Sequence, residues 1–358
     1  MRVLAVTNIY PSAELPASGV FIEQQIKGLS AIGVEVRVLF IDRRREGPMA
    51  YYRLGPRIGR AVGQFAPDLL HVMYGGVMAD QITRQQALPP VMVTFHGSDL
   101  LGENLSGWRR KLMSRYGVWC SKNAARRAQG VIVVARHLLD GLRGAASPSK
   151  TRVIPCGIDL DRFKSMDQRG CQERLGWEGD RAHVLFATSA GDPVKRPRLA
   201  RAAIEHLIAG GAQAELHVLS GVPNSEVPVW LNASDALLLT SAHEGSPTIV
   251  KEALACGLPV VSVDAGDVAE RIVGINGCYL APPAPADLAL RLRWVCERRQ
   301  RLNCSDRLQE LSCVSIARRL RQFYGEILAR TNDAVEREHP RPEPEPCRVS
   351  EQESVASR

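Results

Sequence analysis

Short apolar runs recur along the chain. Each is followed by a turn rich in Gly, Pro, Ser or Asn, and then by a segment whose apolar residues fall three or four apart. This alternation predicts strand, turn, helix, strand. Residues 2–7 read as a first strand and 8–18 as a polar loop. Gly19 opens a helix that keeps Ile22, Ile26 and Leu29 on one face, with Ser18 as its N-cap. Gly33 closes that helix before the alternating run 34–40. Further strands are expected at 69–73, 91–95 and 130–134, with helices at 105–129 and 136–142, whereas 42–63 carries no firm pattern. The design then restarts. Strands are expected at 183–188, 216–220, 236–239 and 259–263, with a helix at 198–209 and a loop at 221–228, and helices fill 282–330. Strands that alternate with helices predict parallel α/β sheets, and two such halves facing each other leave a cleft suited to a ligand.

The densest stretch is Thr240-Ser-Ala-His-Glu244-Gly-Ser-Pro-Thr-Ile-Val-Lys-Glu252-Ala-Leu-Ala-Cys-Gly-Leu-Pro-Val-Val-Ser-Val-Asp264. It joins two strands through a helix whose N-cap is expected at Ser246, with Pro247 in the first helical position, where no N–H is needed. Free N–H groups at Gly245, Ser246 and Thr248 would then point from a helix N-terminus and favour an anion. Glu244 and Glu252, with seven residues between them, flank this seat. Either they serve it, or Glu244 merely sits at the helix start and Glu252 is solvated. Two other places carry chemistry. His96-Gly-Ser-Asp99 follows a strand end, where open α/β sheets bind ligands. Lys195 also follows a strand and lies just before a helix, in reach of an anion there.

The stretch from Glu244 to Val261 resembles the Glu–seven residues–Glu signature of retaining glycosyltransferases of family four (glycosyl transferases group 1), whose members have the GT-B fold of two facing Rossmann-like domains. The resemblance implies that Glu244 contacts the transferred sugar and Glu252 the nucleotide ribose. It also implies that the backbone from Gly245 and Ser246 through Pro247 and Thr248 binds the donor diphosphate. His96 would lie near the sugar and the acceptor, with Asp99 beside the acceptor, and Gly19 beside the donor phosphates. Family members hold the diphosphate with an Arg and a Lys five apart. Lys195 matches the Lys, Ala190 stands where the Arg would be, and Arg196 is the candidate for a second charge. The stretch 155–163 resembles the segment that closes the first domain, with Cys156 where Asn is usual. The implied organisation is an acceptor domain at 1–167, a donor domain at 168–330 whose last helix (312–328) crosses back to the first, and a disordered tail from 331, where Glu, Pro, Arg and Ser dominate.

Composition narrows the partners. The 358 residues carry a net charge of +8, so the surface suits a phosphorylated molecule or an anionic lipid. With 5% aromatic residues and no nucleic-acid-binding motif, nucleic acid is not expected. The nine cysteines include no Cys-x-x-Cys pair and imply a reducing compartment. No apolar run reaches the length of a membrane span and no signal peptide is visible, so a cytoplasmic protein is expected. Leu105, Trp108, Leu112, Tyr116 and Trp119 form one helical stripe amid Arg109, Arg110, Lys111 and Arg115. That stripe either packs on a sheet or lies in a membrane interface. The resemblance therefore points to a nucleotide-diphosphate sugar as donor, a glycan or polyprenyl-linked acceptor in envelope polysaccharide synthesis, and no cofactor or metal. Two rivals are a nucleotide-sugar 2-epimerase of the same fold and an inactive sugar-nucleotide-binding scaffold.

Overall fold

The structure, a computed structural model, describes residues 1–47, 49–102, 107–188 and 192–338. Its frame is two sheets. The first holds β1 (Arg2–Thr7), β2 (Glu35–Phe40), β3 (Leu69–Val72), β4 (Val91–Phe95), β5 (Gly130–Val133) and β6 (Thr151–Val153), in the order β2-β1-β3-β4-β5-β6. The second holds β7 (Ala182–Ala187), β8 (Ala214–Leu219), β9 (Ala236–Leu239), β10 (Val260–Ser262) and β11 (Tyr279–Leu280), in the order β11-β10-β9-β7-β8. All pairings are parallel. β3, β4, β5 and β9 are buried at every position, which is why they read as unbroken apolar runs, while edge strand β2 is exposed or half-buried throughout. In each sheet the chain leaves its first strand to one side and resumes on the other, so β1 lies beside β3 and β7 beside β9. Loops diverge at those points beyond the strand C-termini and leave crevices.

The two units are laced together near residues 156–163. Ile158 donates its N–H to Leu311 O and accepts from Cys313 N, both at 2.9 Å. Ile158 and Phe163 are packed in the core of the second unit, so the chain crosses over about ten residues before the expected boundary at 167. The last helix, Cys313–Glu338, returns to the first unit. Its Ile316, Leu320, Phe323, Tyr324 and Ile327 are buried with Val3, Leu69, Met92 and Ile132. Tyr324 Oη lies 2.7 Å from His71 Nδ1, and His71 Nε2 lies 2.7 Å from Thr94 Oγ1. Burial holds His71 uncharged, its pKa lowered to about 3. This helix continues eight residues past Arg330, where a tail had been expected; the remainder of that tail lies outside the described residues.

Other boundaries also differ from expectation. Residues 54–65 form a helix with Leu54, Ile58 and Phe65 buried, in a stretch where Gly55, Pro56, Gly59 and Gly63 obscure the period. A helix at Val227–Ala233 replaces part of the expected loop. The first helix, Val20–Ala31, is capped by Gly19, not Ser18. Gly19 adopts φ 69°, and a Cβ there would meet the Ile9 carbonyl at 2.7 Å.

Candidate active site

The crevices of the two units open into one cleft of about 470 Å³. The first unit contributes Gly19, Gln24, His96 and Cys156. The second contributes Lys195, Glu244, Gly245, Ser246, Thr248 and Glu252. Lys195 ends a short turn, Pro193–Lys195, whose start is capped by Asp192 Oδ1 accepting from Val194 N at 2.9 Å. Its Nζ reaches Glu244 Oε1 at 2.5 Å, and both side chains are largely shielded from solvent. Arg196 does not join them. Its backbone is left-handed at φ 51°, and its guanidinium donates to Thr240 O at 2.5 Å and Ser241 O at 2.9 Å. It ties the loop together and faces away from the cleft, against its expected donor-binding role. Ala190 lies outside the described residues.

The helix after Glu244 runs Thr248–Ala255, and its N-cap is Pro247, one residue later than expected. Ser246 is therefore free of capping. Its hydroxyl donates to Asp267 Oδ2 at 2.8 Å and accepts from Lys251 Nζ at 3.2 Å. Lys251 is fully buried and also donates to Cys156 O at 2.8 Å, across the boundary between the units. Burial pulls its pKa down, and Cys156 and Asp267 oppose the shift. The N–H groups of Thr248 and Ile249 have no intrahelical acceptor and stand at the cleft, with the positive end of the helix dipole. Glu252 lines the same wall, 7% exposed, and its carboxyl has no hydrogen-bond partner among the described residues. Burial raises its pKa to about 7, against the pull of Lys251 and Arg162.

On the facing wall, His96 follows β4. Its Nε2–H donates to Met73 O at 3.0 Å, so Nδ1 keeps its lone pair, 3.8 Å from Cys156 Sγ. The ring stacks on Tyr74 and tilts against Phe21. Burial lowers its pKa to about 4, so it is a neutral acceptor at physiological pH. Asp99 is a different matter. Its oxygens accept from the backbone N–H groups of Gly75 (3.0 Å), His96 (3.0 Å) and Gly97 (2.9 Å), which makes it the anchor of the loops after β3 and β4. It does not line the cleft, as an acceptor contact would require. The Asp159-Leu-Asp161 stretch is likewise structural: Asp159 Oδ1 accepts from the N–H groups of Asp161 and Arg162. The units touch directly where Gly245 meets His96: a Cβ on Gly245 would lie 1.8 Å from His96 O. His137 Nε2 also donates to Glu244 O at 3.1 Å.

Sequence reasoning did not single out Lys251, His137 or the thiol of Cys156 as parts of this site. Their contacts span 95, 107 and 60 residues, so no local spacing signals them. Among the described residues, the cleft holds one cation, a helix N-terminus, two carboxylates and a neutral imidazole. It can seat a diphosphate beside a polyhydroxylated group.

Residues 15–162 match the family Glycosyltransferase Family 4, and residues 179–298 match Glycosyl transferases group 1. The chain belongs to glycosyltransferase family 4. Among relatives of the family, TuaC of Bacillus subtilis (strain 168), whose name places it in teichuronic acid biosynthesis, is 28% identical over 356 residues, covering 81% of this chain and 87% of TuaC. A D-inositol 3-phosphate glycosyltransferase of Geodermatophilus obscurus is 30% identical over 207 residues, 48% of this chain and 46% of its own. The fold is GT-B. Sucrose-phosphate synthase from Thermosynechococcus elongatus superimposes with a TM-score of 0.67 at 16% identity, covering 94% of this chain and 99% of its own. HepE of Anabaena, in complex with UDP and glucose, gives a TM-score of 0.60 at 19% identity over 94% and 99%.

Proposed function

We propose that this family 4 enzyme transfers a hexose from a nucleoside-diphosphate sugar, with retention and without a metal, to a glycan or lipid-linked acceptor of a cell-envelope polysaccharide. The observation that carries the reading is the juxtaposition of Lys195, the helix N-terminus at Thr248 and the carboxyl of Glu252 on one wall of the cleft. The diphosphate lies against Lys195 and the N–H groups from Gly245 to Ile249. Glu252 accepts from the ribose hydroxyls, and Glu244 and His96 Nδ1 accept from sugar hydroxyls. Negative charge grows on the diphosphate as the sugar leaves, and the cation and the helix dipole stabilise it. The acceptor then attacks from the face of departure, in a closed cleft that limits hydrolysis. The name of TuaC supports a cell-wall polymer as product, and the HepE complexes support a uridine nucleotide as donor. A screen of nucleoside diphosphate sugars tests this. The true donor at a hundred times its Kd should stabilise the fold by ~2.7 kcal/mol and release nucleoside diphosphate only when acceptor is added. Isomerisation of the sugar without acceptor, or binding with no release under any acceptor, overturns it.

The acceptor side adds a second expectation. The helix Trp108–Arg127 packs through Cys120, Ser121, Ala124 and Ala125, and turns Trp108 (71% exposed), Leu112, Tyr116 and Trp119 outward. The apolar stripe does not pack on the sheet; Leu105, its expected start, lies outside the described residues. A groove lined by Lys111, Arg115, Trp119 and Lys122 runs from this helix to His243, next to Glu244. No helix among the described residues is long and apolar enough to cross a membrane. The stripe and its cations fit the surface of an anionic bilayer, which brings a lipid-linked acceptor to the groove. The protein should sediment with anionic vesicles at low salt and come free as salt nears ~1 M, where the Debye length is about 3 Å. Substituting Gln at Arg109, Arg110 and Lys111 should abolish sedimentation in a folded protein; retention by the triple variant sinks the idea.

A further inference from the structure

The strands whose C-terminal ends line the cleft carry a second cluster further back along their length. His183 is the second residue of β7, Glu215 lies opposite it on β8, and His217 is two residues further along the same face of that edge strand. His183 is buried, and its Nε2–H donates to Glu178 O at 2.8 Å, which fixes the tautomer and leaves a lone pair on Nδ1. That lone pair faces His217 Nε2 at 2.9 Å, and Glu215 Oε2 lies 4.0 Å from the same nitrogen. One ligand atom from each residue falls within 4.8 Å of the others. Trp177 stacks on His217 with ring centroids 3.5 Å apart and covers His183 at 4.9 Å.

We propose that His183, Glu215 and His217 form a binding site for one zinc-class divalent cation. The donor chemistry favours this. Two imidazoles and a carboxylate suit zinc, cobalt, nickel or copper, whereas magnesium and calcium prefer oxygen alone. The bond from His183 to the Glu178 carbonyl is the outer-shell contact that orients a ligating histidine. In the metal-free cluster His217 Nε2–H donates to His183 Nδ1. On binding, the proton moves to His217 Nδ1 and Nε2 turns its lone pair to the ion, with no net loss of a proton and no redox change. Two nitrogens at 2.0–2.1 Å from a tetrahedral ion stand about 3.4 Å apart, so the present gap opens by about half an ångström. β8, an edge strand, can yield by that much. Glu215 is half-exposed and leaves a fourth position to water. The ion fastens the segment at Trp177 and Glu178 to the sheet.

The test uses the full chain, stripped with a chelator and titrated with Zn²⁺ and, separately, Co²⁺. One Zn²⁺ per chain and a rise in Tm are expected, with Co²⁺ giving visible d–d bands and no near-ultraviolet thiolate band. His217→Gln should weaken Zn²⁺ binding about 30-fold or more and abolish the rise in Tm. Should that variant misfold, Glu215→Gln, at an exposed position, carries the test with about a tenfold loss. A wild type that binds Zn²⁺ no better than these variants, or a Co²⁺ spectrum with a thiolate band that both variants keep, overturns the proposal.

Discussion

Replacing Lys195 with Met is expected to slow sugar transfer by about 10²–10³-fold, in the range found when one preorganised donor to a developing charge is removed. Affinity for the nucleoside diphosphate should fall far less, because the charge that Lys195 meets is greatest in the transition state. Its ammonium is held by Glu244 at 2.5 Å, which fixes its direction in the cleft. Met keeps most of the apolar stem and removes the ammonium, with both its charge and its N–H donors. It also leaves the Glu244 carboxylate without its cation beside a bound diphosphate, so Lys195→Met/Glu244→Gln separates the two effects: restored affinity without restored kcat is expected in the double variant. Steady-state rates and equilibrium titration of the nucleotide provide both readouts. A Lys195→Met enzyme with kcat near that of the wild type removes Lys195 from the chemistry.

Gly245→Ala is expected to cost about 10² in kcat, the scale of a misplacement near 1 Å. The added Cβ would stand 1.8 Å from His96 O and 2.8 Å from His96 C, both backbone atoms that cannot rotate away. The two units must part by more than an ångström to admit it. Gly245 is not among the residues with positive φ, so Ala fits its backbone and the change probes the contact alone. Donor affinity should survive, since the donor lies mainly on the second unit, and Tm is read alongside, since the added Cβ also stands 3.4 Å from the buried Val134. Normal turnover by Gly245→Ala means that the contact seen between Gly245 and His96 is not the reacting geometry.

The alternation of strands and helices was legible because the central strands are buried on both faces and so appear as unbroken apolar runs. The strand ends that carry His96, Lys195 and Glu244 followed from it, and the structure brings all three to one cleft with Gly19, Gly245, Thr248 and Glu252. What escaped was direction and distance. Arg196 is adjacent to Lys195 in sequence, yet its left-handed backbone turns it toward Thr240 and Ser241. Asp99 sits beside His96, yet three backbone N–H groups claim its oxygens. The spacing of Trp108, Leu112, Tyr116 and Trp119 defined a face of a helix but not what that face meets. The helix at 54–65 was hidden because its glycines weaken local preference, and packing of Leu54, Ile58 and Phe65 decides the matter.

The return of the last helix reverses the order in which the molecule is finished. The sheet face formed by Val3, Leu69, Met92 and Ile132 is covered only in part by Leu29, Val34 and Ile154 until Ile316 to Ile327 have been made. At a ribosomal pace of ~5–20 residues per second, the roughly 180 residues between Ile132 and Ile316 take about 10–40 s. For that time the unit made first shows a partly open apolar face, and the unit made second closes its own core before it. Gly130 is shaped for the late arrival: a Cβ there would lie 2.2 Å from Ile327 Cδ1. The beginning of the chain therefore waits for its end, and the nascent protein depends on whatever shields that face in the interval.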